Sequence, residues 1–202
     1  MTVKLTKNEL RTQQTRYSQF QRYLPTLQLK KAMLQFEVSL VYLEIAQLKE
    51  EFLTARVRVE DFSPFLLEKV AVDLLLYAEI LHVKKRYENI AGVEIPILDK
   101  VIFRDPDYFL FDTPVWTDRA TELLRELVTA REKMNIAEEK RRALEKELRE
   151  VSIRVNLFEK ILIPRAQENI KKIRIFLGDQ QLAAVAQAKV AKRKIALRKA
   201  AE

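Results

Sequence analysis

Two long series of apolar residues, each advancing by alternating steps of three and four, dominate this sequence. Apolar residues that repeat every 3.5 positions form one stripe along an α-helix, and that stripe needs a partner helix to cover it. Gln13, Lys31 and Arg141 interrupt the two ladders. The first ladder is Leu10, Gln13, Tyr17, Phe20, Leu24, Leu27, Lys31, Leu34, Val38, Val41, Ile45, Leu48, Phe52 and Ala55. The second ladder is Leu123, Leu127, Ala130, Met134, Ala137, Arg141, Leu144, Leu148, Val151, Val155, Phe158 and Leu162.

Two such ladders in one chain most simply cover each other. The predicted fold class is therefore mainly α: a long antiparallel two-helix coiled coil with a small head of short helix and β-hairpin at the bend. We expect an N-terminal coiled-coil helix over residues 1–59, the head over 60–116, and a C-terminal coiled-coil helix with a basic end over 117–202. The sequence does not determine the exact register of the two helices. If residue 55 lies opposite about residue 120, Leu10 lies opposite about residue 165, and the last thirty-odd residues extend beyond the pairing as a single helix.

Local signals set the expected limits of the first helix. Thr6 and Glu9 have the spacing of a capping box at its start, and the helix should end near Val59. Pro25 lies inside the ladder without changing its phase, which predicts a kink and not a break.

The middle of the chain has no heptad pattern. Residues 65–81 predict a short amphipathic helix, and residues 83–103 predict one or two strands, with Glu88-Asn89 as a turn-like pair and Gly92 among the strand residues. Residues 105–108 have the chemistry of a turn.

The second long helix should begin at Trp116 and Thr117, with Trp116 packing as a hydrophobic staple and Thr117 as the cap. Around Pro164 the apolar residues advance by two successive steps of four, a stutter that unwinds a left-handed supercoil locally. Gly178 predicts a hinge or a helix end.

Composition excludes several classes of function. The chain has no cysteine, so thiolate metal sites are excluded, and His82 is its one histidine. It has no phosphate-binding glycine loop and no nucleophile motif, and we expect no catalytic, cofactor-binding or metal-binding residue. No apolar run reaches about twenty residues, and the N-terminus has no signal region, so we expect a cytoplasmic protein without membrane insertion.

Charge is unevenly distributed along the chain. Residues 59–116 carry 6 basic and 11 acidic residues, whereas residues 165–202 carry 10 basic and 3 acidic ones. An antiparallel hairpin brings both termini to the same tip, so basic residues from both ends should converge there and steer a partner. These residues are Lys4, Lys7, Arg11, Lys189, Lys192, Arg193 and Lys194.

Three segments resemble the central-stalk D subunits of V-type and archaeal A-type rotary ATPases. Residues 6–10 read TKNEL, residues 88–96 read ENIAGVEIP, and residues 154–165 read RVNLFEKILIPR. The last string is similar to that family's R-V-N-A-L-E-x-x-x-I-P-R stretch and is the most specific of the three. Pro25 and Gly178 depart from the family pattern and bear on the straightness of the shaft.

The resemblance implies a rotor shaft that carries torque between the catalytic ATPase head and the ion-translocating membrane ring, with no active site of its own. The basic tip would contact the ring of catalytic and non-catalytic subunits, and the foot would rest on a funnel-like subunit above the membrane ring. The head would bind the small F subunit of the stalk, and its candidate contact residues are Tyr87, Ile90, Val93 and Ile95. Such a complex implies a peripheral protein at the cytoplasmic face of the membrane, taking part in ATP synthesis or hydrogen ion transport.

Two alternatives from other classes remain open at this point. A basic coiled coil is also typical of nucleic-acid-binding arms, although few aromatic residues are free for base stacking here. Residues 182–199 combine basic and apolar residues, as do helices that lie on membrane surfaces, but they have no Trp or Phe anchor.

Overall fold

The computed structural model describes residues 3–66, 74–105 and 113–199. The described chain contains three long helices, one short helix, a π-helical turn and a β-hairpin. In chain order they are α1 (Lys7–Leu66), α2 (Leu74–Tyr77), β1 (Ile80–Ile90), β2 (Val93–Phe103), α3 (Thr117–Leu157), the π-helical turn (Phe158–Leu162) and α4 (Ile163–Lys199). They divide into two compact units, which we call the terminal unit (residues 1–29 and 151–202) and the head unit (residues 30–150). The predicted helical hairpin with a small β head is confirmed.

Every position of the two predicted ladders is buried or half-buried. No ladder residue is exposed, and most residues between the ladder positions are exposed. The fully buried side chains of the head unit include Leu34, Val41 and Leu144, and those of the terminal unit include Val151 and Ile173. Burial of apolar side chains is the main force that pairs the helices, at about 25 cal/mol per Å² of apolar surface.

In the terminal unit, the start of α1 packs antiparallel to α3 and α4. The Phe20 and Phe158 rings meet edge to face with their centroids 5.4 Å apart. The Tyr17 hydroxyl accepts a hydrogen bond of 2.9 Å from Nε2 of Gln167. Thr6 caps α1 as expected, because its Oγ1 accepts a hydrogen bond of 3.3 Å from the Glu9 amide.

In the head unit, ion pairs record the antiparallel register of α1 and α3. Lys30 pairs with Glu147, Lys133 with Glu51, and Arg58 with Glu126. The last two pairs set Ala55 opposite a point near residue 129, more than two turns from the predicted residue 120. The alignment of residue 55 with residue 120 therefore does not hold. Ladder phase determines which face of each helix is buried, but it does not determine the longitudinal offset, which these ion pairs show.

Several predicted helix limits also differ from the structure. The first helix ends at Leu66 and not near Val59, and it continues through both Pro25 and Pro64. Helix α4 continues through Gly178, so Gly178 is not a helix end. The α3 cap is Trp116 and not Thr117, since the Trp116 carbonyl oxygen accepts the first helical hydrogen bond, from the Ala120 amide.

The predicted stutter near Pro164 is replaced by the π-helical turn Phe158–Leu162, in which the Ile163 amide donates to the carbonyl oxygen of Phe158. A π turn holds one more residue than an α turn. The extra residue is absorbed there, so apolar residues on both sides of the turn return to the same helix face. Val155 and Ala166, which flank the turn, are both buried.

The strands β1 and β2 form a two-stranded antiparallel hairpin, which extends the predicted strand region by a few residues at its start. Its two-residue turn is Ala91-Gly92, with φ of 52° and 82°. Positive φ at both central residues is the requirement of a type I′ turn. Glu88 and Asn89 belong to β1 and pair with Ile95 and Glu94, so the turn predicted at these two residues was wrong.

Two predicted segments lie partly or mostly outside the described residues. Of the short helix expected over 65–81, residues 67–73 lie outside the described chain. The structure describes the last residues of α1 and the four residues of α2, but Ile80 and Leu81 belong to β1, so the predicted helix was wrong at its end. The turn expected at 105–108 lies outside except for Asp105.

Candidate interaction surfaces

The β-hairpin carries the four residues predicted to bind a small subunit. Tyr87 is 62% exposed, and Ile90 and Val93 are half-buried beside the turn, where they pair with each other. Ile95 is 1% exposed and belongs to the core. The prediction of Ile95 as a surface contact was therefore wrong, because alternation along a strand does not identify which face the rest of the protein covers.

The hairpin is attached to α3 by an ion pair. Nζ of Lys85 lies 2.6 Å from Oε2 of Glu139. The hydrogen bond to Glu139 raises the pKa of Lys85 above its ordinary value of 10.5, and partial burial opposes that shift. The hairpin therefore presents Tyr87 from a strand that is anchored two residues earlier.

Arg125 on α3 connects both ends of the hairpin region. Its Nε donates to the carbonyl oxygen of Tyr77, at 3.0 Å, and its Nη2 donates to that of Arg104. Its guanidinium also lies 5.3 Å from the centroid of the Phe103 ring. A planar guanidinium can satisfy two carbonyl oxygens and stack on a ring at once, which a lysine cannot. Arg125 therefore fixes the chain just before β1 and just after β2.

Polar contacts between α1 and α3 are a feature that sequence reasoning missed. Each contact joins a residue beside one ladder to a residue beside the other. The sequence feature that could have predicted them is the complementary charge of residues next to the ladder positions. They are Lys30 Nζ to Glu147 Oε1 at 2.7 Å, Tyr42 Oη to Glu145 Oε1 at 2.6 Å, and Lys140 Nζ to Glu44 Oε2 at 2.9 Å. Arg141 lies over the Tyr42 ring, 5.5 Å from its centroid, and its hydrogen bond to the Tyr42 hydroxyl raises its pKa.

The predicted basic residues form two groups within the terminal unit. Lys4 lines a cleft together with Arg16 and Arg165, and Lys7 and Arg11 are exposed on the first turns of α1.

The second group, Lys189 to Lys194, lies on the exposed part of α4, where every described side chain from Asp179 to Leu197 is exposed. Asn169 lines the cleft beside Lys4. Lys189 is twenty residues further along α4 than Asn169, which is about 30 Å of helix. The two basic groups therefore occupy different levels of the unit.

The sequence matches a family model described as the D subunit of ATP synthase over residues 9–193. The chain belongs to the ATP synthase D-subunit family. Its relatives include the V-type ATP synthase D subunit of Chlamydia abortus, with 42% identity over 98% of this chain and 95% of the relative. The proteins of the same name from Chlamydia caviae and Chlamydia trachomatis serovar L2 are both 43% identical to this chain. The match to the first covers 98% of this chain and 95% of the relative, and the match to the second covers 96% of each.

Family membership confirms the resemblance seen in the three sequence motifs and covers both units of the fold. No group of three or more His, Asp or Glu residues within the described parts of this chain could hold a metal ion. Among the described residues, none of the helices has the combination of length and hydrophobicity that a transmembrane helix requires.

Proposed function

We propose that this D-family chain is the central rotor shaft of a V-type or A-type ATPase and transmits torque between the catalytic head and the ion-translocating membrane ring. The observation that carries the proposal is the pairing of two helices along buried ladders, in a chain of the ATP synthase D-subunit family. The relatives are named as D subunits of V-type ATP synthase, and the proposal gives this chain the same complex.

A torque-bearing shaft must resist sliding and twisting of one helix against the other. A buried ladder opposes separation of the helices, because each exposed apolar side chain would cost about 1.5–3 kcal/mol. Directional contacts oppose sliding, and the Lys30–Glu147 and Tyr42–Glu145 hydrogen bonds are of this kind. In this proposal the chain has no active site, and ATP is hydrolysed or synthesised by the ring subunits around it.

Single-molecule rotation tests the shaft role directly. The chain has no cysteine, so a Lys84→Cys variant offers one thiol on the hairpin for attaching a bead to an immobilised complex. ATP should drive unidirectional rotation of the bead. A complex that hydrolyses ATP at its normal rate while the bead stays still would show that this chain is not the rotor.

We further propose that the hairpin binds the small F subunit of the stalk, through Tyr87, Ile90 and Val93. A tyrosine that is 62% exposed on an anchored strand suits a partner contact, since aromatic residues are enriched at interfaces. Tyr87→Ser should lower the amount of the small subunit that co-purifies, while Lys100→Ser, an exposed change on β2, should not. Equal recovery with both variants would contradict this contact.

We also propose that the basic end of α4 lies inside the ring of catalytic and non-catalytic subunits. The foot of the shaft would then rest on the funnel-like subunit at the cytoplasmic face of the membrane. Exposed lysines act over about 8 Å at physiological salt, so they can bias the rotor angle without a rigid contact. Changing Lys189, Lys192, Arg193 and Lys194 to Gln should alter ATPase rate, and more at low salt than at high salt. An unchanged rate at both salt concentrations would leave these residues as a solvated helix end.

A further inference from the structure

The cleft of the terminal unit receives basic side chains from three segments of the chain. Lys4 comes from the segment before α1, Arg16 from α1 and Arg165 from α4, and we call this site the basic cleft. It encloses about 470 Å³. Sites for small molecules commonly enclose about 300–1,000 Å³, so the basic cleft has room for a ligand of that class.

The basic residues of this cleft have no partners in the described chain. Within residues 3–66, 74–105 and 113–199, none of the three side chains forms an ion pair or a hydrogen bond. Glu9 is the one acidic residue that lines the cleft, and its Oε1 accepts a hydrogen bond of 2.8 Å from Nε2 of Gln13. The lining residues therefore carry a net charge of +2. Like charges gathered in one cleft repel each other and attract an anion.

A cleft in the head unit provides an internal comparison. Its two basic residues, Arg125 and Lys133, share it with four carboxylates. Arg125 donates to two backbone carbonyl oxygens, and Nζ of Lys133 lies 3.8 Å from Oε2 of Glu51. The basic residues there are neutralised by the chain itself, whereas those of the basic cleft are not.

The other lining residues combine polar and apolar side chains. Gln13 is only 8% exposed, and its amide is held by Glu9. Asn169 is half-buried, and its side-chain amide has no hydrogen bond within the described chain, so it offers a free donor. Phe20 and Leu162 supply apolar surface. A few polar groups among apolar ones are typical of sites that orient a small ligand.

Charge and geometry indicate which anion suits the basic cleft. The planar guanidinium of an arginine can donate two parallel hydrogen bonds to a phosphate or a carboxylate. A phosphate monoester carries about −1.5 to −2 charges at pH 7, which is close to the opposite of the net charge of the lining residues. A single carboxylate would leave about one positive charge uncompensated. The charge balance therefore favours phosphate.

We propose that the basic cleft binds a phosphate group, with Arg16 and Arg165 as hydrogen-bond donors and Lys4 as a further positive charge. The phosphate is either free inorganic phosphate or the terminal group of a nucleotide, whose organic part would contact Phe20 and Leu162. The proposal goes beyond the rotor function and does not depend on it, because the isolated full chain contains every residue of the site.

Isothermal titration of the full chain with inorganic phosphate tests this site. Arg165→Gln removes one donor from an exposed position and should weaken binding by about tenfold or more. Arg174→Gln is the matched control, because Arg174 is also exposed and has no ion pair in the described chain. It lies nine residues further along α4, which is about two and a half turns and therefore the opposite face of the helix. The control should change the affinity by less than about twofold.

A variant that strengthens binding separates the proposal from misfolding. Glu9→Gln removes the one negative charge that lines the cleft, and its amide oxygen can still accept the hydrogen bond from Gln13. Glu9→Gln should therefore bind phosphate about threefold more tightly than the wild-type chain. Unchanged or weaker binding by this variant would contradict the proposal.

Further titrations identify the ligand. Tighter binding of ADP than of phosphate would support the site with a nucleotide as its ligand, and equal or weaker binding of ADP would support it with free phosphate. Acetate that binds as tightly as phosphate would indicate a carboxylate site and overturn the proposal. So would the absence of saturable phosphate binding up to about 10 mM, or equal weakening by Arg165→Gln and Arg174→Gln. None of these results bears on the rotation assay, so the rotor function would stand or fall separately.

Discussion

Lys85 on β1 and Glu139 on α3 form a hydrogen-bonded ion pair, with Nζ 2.6 Å from Oε2. A two-stranded hairpin is at best marginally stable by itself in water. The pair is therefore one of the contacts that keep the hairpin in a fixed position, which any partner of Tyr87 would require.

The ion pair predicts a pH dependence at alkaline pH. The pKa of Lys85 is raised above 10.5, chiefly by the hydrogen bond to Glu139. Because the folded-state pKa is the higher one, the pair stabilises fully below about pH 10.5 and loses its effect as pH rises through the folded-state value. Glu139→Gln should destabilise the protein by less than about 1 kcal/mol at pH 8, and this difference should shrink toward pH 12 in urea unfolding. A difference that grew with pH would contradict the assignment.

Arg125 is predicted to matter more than any surface ion pair. Arg125→Leu removes the donors for the carbonyl oxygens of Tyr77 and Arg104 and should cost about 1–3 kcal/mol. Arg125→Lys should recover only part of the loss, because an ammonium lacks the planar fork. Limited proteolysis near residue 104 and urea unfolding would measure the two effects. The control Arg119→Leu, an exposed residue of the same helix, should change stability by less than about 0.5 kcal/mol.

The two glycines should respond to alanine in opposite directions. Gly178 lies inside α4, and a methyl group there would meet no atom within 4 Å in the described chain, apart from its two neighbours and the backbone of its own helix. Gly178→Ala should therefore stabilise the helix by about 0.5–1 kcal/mol. Gly92 has φ of 82° in the hairpin turn. Gly92→Ala should be destabilising by about 1–2 kcal/mol, the cost of a left-handed conformation for a residue with a Cβ. Thermal unfolding of both variants would measure the two changes in stability. A change of the same sign in both variants would contradict this explanation.

Much of this fold could be predicted from spacing alone. The 3.5-residue repeat identified the buried positions of α1 and α3, because a buried stripe must recur at the helical period. Thr6 and Glu9 identified the start of α1 through a local hydrogen bond. The hairpin was also predicted, although its turn was displaced to Ala91-Gly92, where positive φ at Ala91 could not be anticipated from an alanine.

The rest depends on contacts between distant residues. The ladder phase does not determine the offset of α1 against α3, which the pairs Lys133–Glu51 and Arg58–Glu126 show in the structure. Which face of a strand is covered is also a tertiary property, so Ile95 was predicted to be a surface residue and is buried.

The core of the head unit gives the largest predicted change in stability. Leu144 is 0% exposed, so Leu144→Ala would leave a cavity between the paired helices and should cost about 2–5 kcal/mol. Leu53 lies on α1 outside the ladder and is 47% exposed. Leu53→Ala should therefore cost about 1 kcal/mol or less, since about half of Leu53 stays exposed to solvent in the folded chain. Urea unfolding followed by circular dichroism would measure both. If the helix pair carries torque in the complex, ATP-driven rotation should stall at a lower load in Leu144→Ala than in Leu53→Ala. The reason is that the Leu144 side chain, which resists unfolding, also resists separation of α1 from α3. Equal stall loads despite a stability difference of the expected size would mean that torque does not pass through this part of the helix pair.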